Sequence, residues 1–471
     1  MRHLLRPAVL LAAIGAMSAP SALATGSETL DRRAGLGIGM SPPERAGPPT
    51  VDTVFPGLTG EKLGLRKGDV ILAVGERPAL DRATVVAYAG TLRANDPVQL
   101  RIRRNGRELL LAGRAVGRPL ETYPGGIASY GSLPFRGGLL RDILVTPATS
   151  PSAPVVFLLP GYTCNSIEPQ AADHPYRRLG AELIARGIGY YRVEKPFVGD
   201  SKGPNDCNDI DFATELDAFR SAYNHVITER GISADRIFMF GHSLGGLQAP
   251  LLAVEQPPRG VAVFGTVLRN WADYHHDVDR IQAYLFAGSD PVDEAAEAEG
   301  NRDLIRAFYF ERKSPAEIAA TNPQAADRLR ELFQWDGGTR AIGGRSYRFN
   351  QDLAHLPLIA AWRDARTNVL ALYGESDIVA INDEDHRLIA DIASFYRPGT
   401  GRFLEVAKTD HGMELTGTRS EVREKFMALG QAPTGPFNPA VVEALASWIS
   451  DAMAQPPVAT RSFSPRTRPV R

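Results

Sequence analysis

The chain is expected to be an α/β protein in which a mostly parallel sheet is covered by helices on both faces, with a smaller β-rich domain ahead of it. Three observations point there. Beyond about residue 140, short apolar runs alternate with helical patterns, the order that parallel strands joined by crossover helices require. About 100 residues of helical spacing and polarity separate Leu268 from Asn368, far beyond an ordinary connection, so a mainly helical cap is expected at about 269–367. A length of 471 residues also exceeds what one hydrophobic core ordinarily supports, which leaves room for a second domain.

The segment 1–24 reads as a signal peptide. Arg2 and Arg6 supply a basic start, Ala8 to Met17 a short apolar run, and Ala22-Leu23-Ala24 a small-residue cleavage signature. The run is shorter than the roughly 20 apolar residues that a membrane helix needs, and no later segment is long enough. The mature chain is therefore expected to be exported, periplasmic or extracellular, with no membrane span. Charge removes one class of partner: 53 basic against 54 acidic residues leave a net charge of −1, which gives no electrostatic ground for nucleic acid. Cys164 and Cys207 would sit where disulfides persist, and by sequence they are either a bridge or two unrelated small side chains.

The first folded unit is expected over 34–118. A polar turn at Arg66 to Asp69 leads into a strand over Val70 to Val74, then a second turn and a helical run over Asp81 to Leu92. "PVQLRIRRNGRELLLAG" alternates and turns at Asn105-Gly106, as a hairpin does. This unit resembles a PDZ domain of the bacterial exported type, most specifically over Leu65 to Pro78. In that family a loop of two apolar residues around a glycine offers backbone N–H groups to a terminal carboxylate. The resemblance implies that role for Leu36, Gly37 and Ile38, with a peptide or protein C-terminus as partner, although a glycine-rich stretch near a new N-terminus also reads as a flexible linker.

Tyr123 to Leu140, rich in glycine and proline, reads as a connector. The strands of the second unit follow as "DILVTPA", "PVVFLLPG", "GIGYYRVEKP", "RIFMFGHS", "GVAVFGTVL", "NVLALYGESD" and "RFLEVAKTDHG", with a helix over Asp211 to Thr228 and a last one over Pro439 to Met453. The tail 455–471 is expected to be disordered. Within the cap, Phe308, Tyr309, Phe310, Phe333 and Trp335 either line a pocket or form the cap's own core, the second being the ordinary fate of such residues.

Chemistry concentrates around "RIFMFGHSLGGLQAP". An apolar strand that turns into a helix through Gly241-His242-Ser243-Leu244-Gly245 is a nucleophile elbow, which lifts one hydroxyl above the sheet edge. A serine needs a base to take its proton and an acid to orient that base. Asp377 ends the strand "VLALYGESD" and His411 ends "FLEVAKTDHGM", so all three residues fall at strand carboxyl ends, which share one edge in a parallel sheet. Asp383 and Asp385 are local rivals to Asp377; His386 and the pair His275-His276 rival His411, the pair being expected as exposed cap histidines. No ligand spacing accompanies them, so no metal is required and no cofactor is implied.

Over about Tyr130 to Ala454 the chain resembles the α/β-hydrolase superfamily, giving a hydrolase domain at 130–454. The resemblance implies an oxyanion hole formed by the N–H of Leu244 and an N–H of the loop after "VVFLLPG". Tyr162 is the choice there, with Thr163 the alternative, because Pro160 departs from the family's usual His-Gly. "EKPFVGDSKG" resembles a site-shaping loop of the family. A Cys164–Cys207 bridge would then tie the oxyanion loop to its neighbour.

The expected function is an exported serine hydrolase acting on a small-molecule ester or related acyl bond. A peptidase acting on peptide termini is the rival enzyme, and an envelope-binding protein with a vestigial hydrolase is the rival class.

Overall fold

The computed structural model describes residues 30–41, 47–168, 171–321 and 323–458. The segment read as a signal peptide, 1–24, lies outside the described residues, as does the tail from residue 459 on.

The N-terminal unit holds two small antiparallel sheets. One pairs β1 (Ile38–Met40) with β2 (Val51–Val54). The other has the order β4-β3-β5-β6, from β3 (Val70–Val74), β4 (Arg77–Pro78), β5 (Pro97–Arg104) and β6 (Arg107–Arg114). Alternation along β5 sends Val98, Leu100 and Ile102 inward, and the hairpin to β6 turns through Asn105 and Gly106, both at positive φ (51° and 78°). The helix Arg82–Thr91 starts at Asp81, whose carboxylate accepts the Thr84 N–H at 2.8 Å and caps the first turn.

The larger unit is built on eight strands in the order β14-β13-β12-β11-β9-β10-β8-β7. The segment expected as a connector is instead β7 (Gly126–Phe135), which pairs antiparallel with β8 (Gly138–Pro147). Its glycines and Pro134 resemble turn signals, but β7 is the outermost strand, where a proline's missing N–H need not interrupt the ladder. The remaining strands, β9 (Val155–Leu159), β10 (Gly189–Val193), β11 (Ile237–His242), β12 (Gly260–Phe264), β13 (Asn368–Gly374) and β14 (Gly401–Val406), run parallel. Their carboxyl ends therefore meet along one edge.

Strand periodicity divides the core in two. Phe157, Ile237 and Met239 pack with Phe219, Leu247 and Ile389 on one face, while Val156, Phe238 and Phe240 pack with Leu183, Leu445 and Trp448 on the other. Between β12 and β13 the chain forms the cap, a series of short helices from Trp271–Asp277 to Leu358–Asp364. Phe308, Tyr309 and Phe333 are fully buried in the cap's own core and Trp335 lies at its margin, whereas Phe310 is exposed. None of them lines the cleft described below.

Candidate functional site

The elbow owes its shape to its glycines. Ser243 has φ 54°, a left-handed conformation that few non-glycine residues adopt, and its N–H donates to the Phe264 carbonyl at 2.9 Å. A Cβ on Gly241 would lie 2.6 Å from the Gly245 carbonyl oxygen, and one on Gly245 would overlap the Leu159 carbonyl. Only glycine at both positions lets strand, turn and the helix Gly245–Glu255 pack this closely.

The loops after β9, β12, β13 and β14 converge on this turn. Asp377, fully buried, accepts backbone N–H groups from Val379 and Ala380 on Oδ1, both at 2.8 Å, and its Oδ2 pairs with His411 Nδ1 at 2.9 Å. Gly265 lies directly after Phe264, and a Cβ there would stand 2.7 Å from Asp377 Oδ2 and 2.8 Å from His411 Nδ1. The loop after β9 brings Gly161 so close that a Cβ on it would touch Ser243 Cβ at 3.4 Å. Among the described residues no protein acceptor takes the N–H of Tyr162 or of Leu244.

The electrostatics follow from this packing. Burial opposes charging of His411, but the Asp377 carboxylate and its hydrogen bond outweigh it and hold the imidazole above the ordinary histidine value. Burial likewise opposes charge on Asp377, yet His411 and the Ala380 N–H keep its carboxyl below the ordinary range. Neutral His411, donating from Nδ1 to Asp377, leaves Nε2 free to accept a proton, which is the state a base needs.

A brace that sequence reasoning missed joins the Gly161 loop, the end of β11 and the His411 loop. The Gly161 N–H donates to Tyr176 Oη at 3.1 Å, Tyr176 Oη lies 2.7 Å from His242 Nδ1, and His242 Nε2 lies 2.8 Å from the His411 carbonyl. Burial and the neighbouring His411 push His242 down to about 4, so it is neutral, and donation from Nε2 to the carbonyl requires Nδ1 to accept from Tyr176. The rings of His242 and His411 are 5.1 Å apart.

The rival residues are engaged elsewhere. Asp383 pairs with Arg387 and Asp385 with Arg269; buried His386 accepts the Thr266 N–H on Nε2 at 3.0 Å. The expectation of exposed cap histidines fails: neither His275 nor His276 is exposed, and His275 Nδ1 meets Tyr309 Oη at 2.9 Å while its ring packs on Phe333. The polar pattern of the helix Trp271–Asp277 hid this, because one side of that helix packs on the cap's own core through Ala272 and Trp271.

Ser243 opens on a narrow, largely apolar cleft of about 20 Å³ lined by Leu244, Leu247, Val267, Trp271 and Tyr274. Trp271 and Tyr274 come from the cap, which is tied to the acid loop where Tyr274 Oη donates to the Val379 carbonyl and Gln282 to the Ile378 carbonyl, each at 2.8 Å. Cys164 and Cys207 form a disulfide two residues beyond Tyr162. In the N-terminal unit, Leu36, Gly37 and Ile38 line a separate groove of about 720 Å³ with Met40, Val85 and Ala89. Gly37 has φ 64°, and its carbonyl accepts the Phe55 N–H at 2.9 Å.

Two family models match the chain, one for the PDZ domain over residues 34–112 and one for the alpha/beta hydrolase family over residues 155–420. Among curated proteins none matches. Similar solved structures include Est1E from Butyrivibrio proteoclasticus, at 15% identity over 69% of this chain and 99% of that one, with a TM-score of 0.41. The proline iminopeptidase of Mycobacterium smegmatis is 18% identical over 69% of this chain and 99% of its own, with a TM-score of 0.40. A fungal esterase from Rhizomucor miehei is 13% identical over 71% of this chain and 86% of its own, also with a TM-score of 0.40.

Proposed function

Because the chain belongs to the alpha/beta hydrolase family, we propose that it is a serine hydrolase that cleaves a carboxylic ester or a related acyl bond through an acyl-enzyme on Ser243. One observation carries the reading: Ser243 stands at a strained, glycine-enclosed turn with Gly161 against it, and its neighbour His242 lies 5.1 Å, ring to ring, from the His411 that pairs with Asp377 at 2.9 Å. In this mechanism His411 Nε2 takes the serine proton as Oγ attacks the substrate carbonyl, and Asp377 stabilises the imidazolium. The N–H groups of Tyr162 and Leu244 receive the oxyanion. The leaving group departs with the proton from His411, and a water activated by the same base releases the acyl group.

The leader-like segment 1–24 and the disulfide support an exported protein, and no helix among the described residues is long and apolar enough to cross a membrane. The groove along Leu36, Gly37 and Ile38 supports docking of a peptide or protein C-terminus at the PDZ domain. Such docking also favours a second reading, a peptidase that acts on peptide termini.

The test is covalent labelling with a fluorophosphonate. Wild type should label and Ser243→Ala should not; an unlabelled wild type would favour the vestigial, binding-only protein. Turnover of nitrophenyl esters against aminoacyl and dipeptidyl amides then separates esterase from peptidase.

A further inference from the structure

Beneath the Gly161–Tyr162 loop lies a buried charge cluster that the mechanism above leaves unused. Glu215, on the helix Phe212–Thr228, is met by Lys195 Nζ at 3.1 Å, Arg345 Nη2 at 2.7 Å and Gln248 Nε2 at 3.0 Å. Glu215 and Arg345 are 0% exposed and Lys195 1%, so the groups sit out of water. They come from four places: the end of β10, the Glu215 helix, the helix that follows Ser243, and the cap.

Two cations against one carboxylate leave a surplus positive charge, which a buried site tolerates only with further acceptors. The acceptors are two carbonyls of the oxyanion loop and that of Cys207, which the disulfide ties to the loop. Lys195 Nζ donates to the Gly161 carbonyl at 2.8 Å; Arg345 Nη1 donates to that of Tyr162 at 2.9 Å, and its Nη2 to that of Cys207 at 3.2 Å. In a planar trans peptide the C=O and the following N–H point to opposite sides. Holding the Gly161 carbonyl therefore aims the Tyr162 N–H, and holding the Tyr162 carbonyl aims the Thr163 N–H. The surplus charge also lies behind the place where the substrate's oxygen becomes negative.

We propose that Lys195 and Arg345 are positioning residues of the oxyanion hole, and that Arg345 makes the seating of the cap a condition for an aligned hole. The proposal rests on the serine-hydrolase reading. Further cap contacts act on the same loop: Tyr162 Oη shares its proton between the Ile342 carbonyl at 2.7 Å and Asn350 Oδ1 at 2.9 Å, and the Arg345 guanidinium lies 3.6 Å from the centre of the Phe349 ring.

The experiment removes one cation at a time, since either single change leaves Glu215 paired with the other cation, and a thermal melt accompanies each variant. Arg345→Met, Arg345→Lys and Lys195→Met are compared with wild type in steady-state hydrolysis of a nitrophenyl ester, each normalised to serine titrated by the fluorophosphonate. Both Met variants should lose kcat by roughly tenfold to a hundredfold with KM within about twofold, as for a displaced oxyanion donor. Arg345→Lys should recover part of the loss, because one ammonium keeps the charge but cannot reach Tyr162, Cys207 and Glu215 together. Wild-type kcat per titrated serine in both Met variants, or a loss confined to KM, overturns the proposal while the serine-hydrolase reading stands. A wild type that takes no label overturns both.

Discussion

Asp377→Asn should disable the protein by reversing one hydrogen bond. Oδ1 of Asp377 accepts two backbone N–H groups at 2.8 Å, so the single carbonyl oxygen of an asparagine must take that place. Its NH2 then faces His411 Nδ1 across the 2.9 Å now spanned by the carboxylate, and donates where Asp377 accepted. The imidazole is forced to carry its proton on Nε2, the atom that must receive the serine proton, and the imidazolium loses its counter-charge. A wrong tautomer in a serine–histidine–acid site lowers kcat by roughly 10⁴-fold, which is about 5.5 kcal/mol of barrier. The assay is ester hydrolysis with the fluorophosphonate labelling rate in parallel, and a thermal melt to show that the near-isosteric change leaves the fold intact. A loss under about tenfold, or one seen only in KM, would refute the tautomer argument.

Other outcomes follow from the same geometry. Ser243→Ala should abolish labelling and lower turnover by several orders of magnitude, with a circular dichroism spectrum like that of wild type; near-normal turnover would end the serine reading. His411 acts as a base only when neutral, and Asp377 raises its pKa, so kcat/KM should climb with pH through a midpoint above about 6.5. That limb should persist in Asp410→Asn, whose carboxyl burial lifts to about 6, and a flat profile between about pH 5.5 and 7.5 would remove His411 as the base. The disulfide spans 43 residues, which limits its loop-entropy contribution to about 4 kcal/mol. The Cys164→Ser, Cys207→Ser double variant should therefore stay folded yet lose kcat more than affinity, and an unchanged kcat would show that packing alone holds the loop.

The parts legible in the sequence are those written in local patterns. Apolar runs such as Val155 to Leu159 and Ile237 to Phe240, bounded by turn residues and rich in β-branched and aromatic side chains, read as buried strands, and in the fold their alternate residues feed two different cores. Gly241 and Gly245 flank the serine for a steric reason that acts within a few residues and one neighbouring strand, so the elbow was readable too. β7 was not, because an edge strand tolerates the glycines and proline that elsewhere mark a connection. His275 was misplaced because the polarity of a short helix does not reveal that one of its sides meets Tyr309 and Phe333 of the cap core.

Local pattern accounts for the alternation of strands and helices after β7, for Ser243 at its turn, and for Asp377 and His411 at later strand ends. All of these depend on periodicity and turn chemistry, which act over a few neighbouring residues. Which side chains meet is settled by long-range packing. The His242–Tyr176 brace joins residues 66 positions apart, and Arg345 lies 130 positions from Glu215. The first depends on how the helix Pro175–Ala185 docks against the end of β11, and the second on how the cap and the helix Phe212–Thr228 meet and on the need of buried charges for partners. No local pattern encodes either.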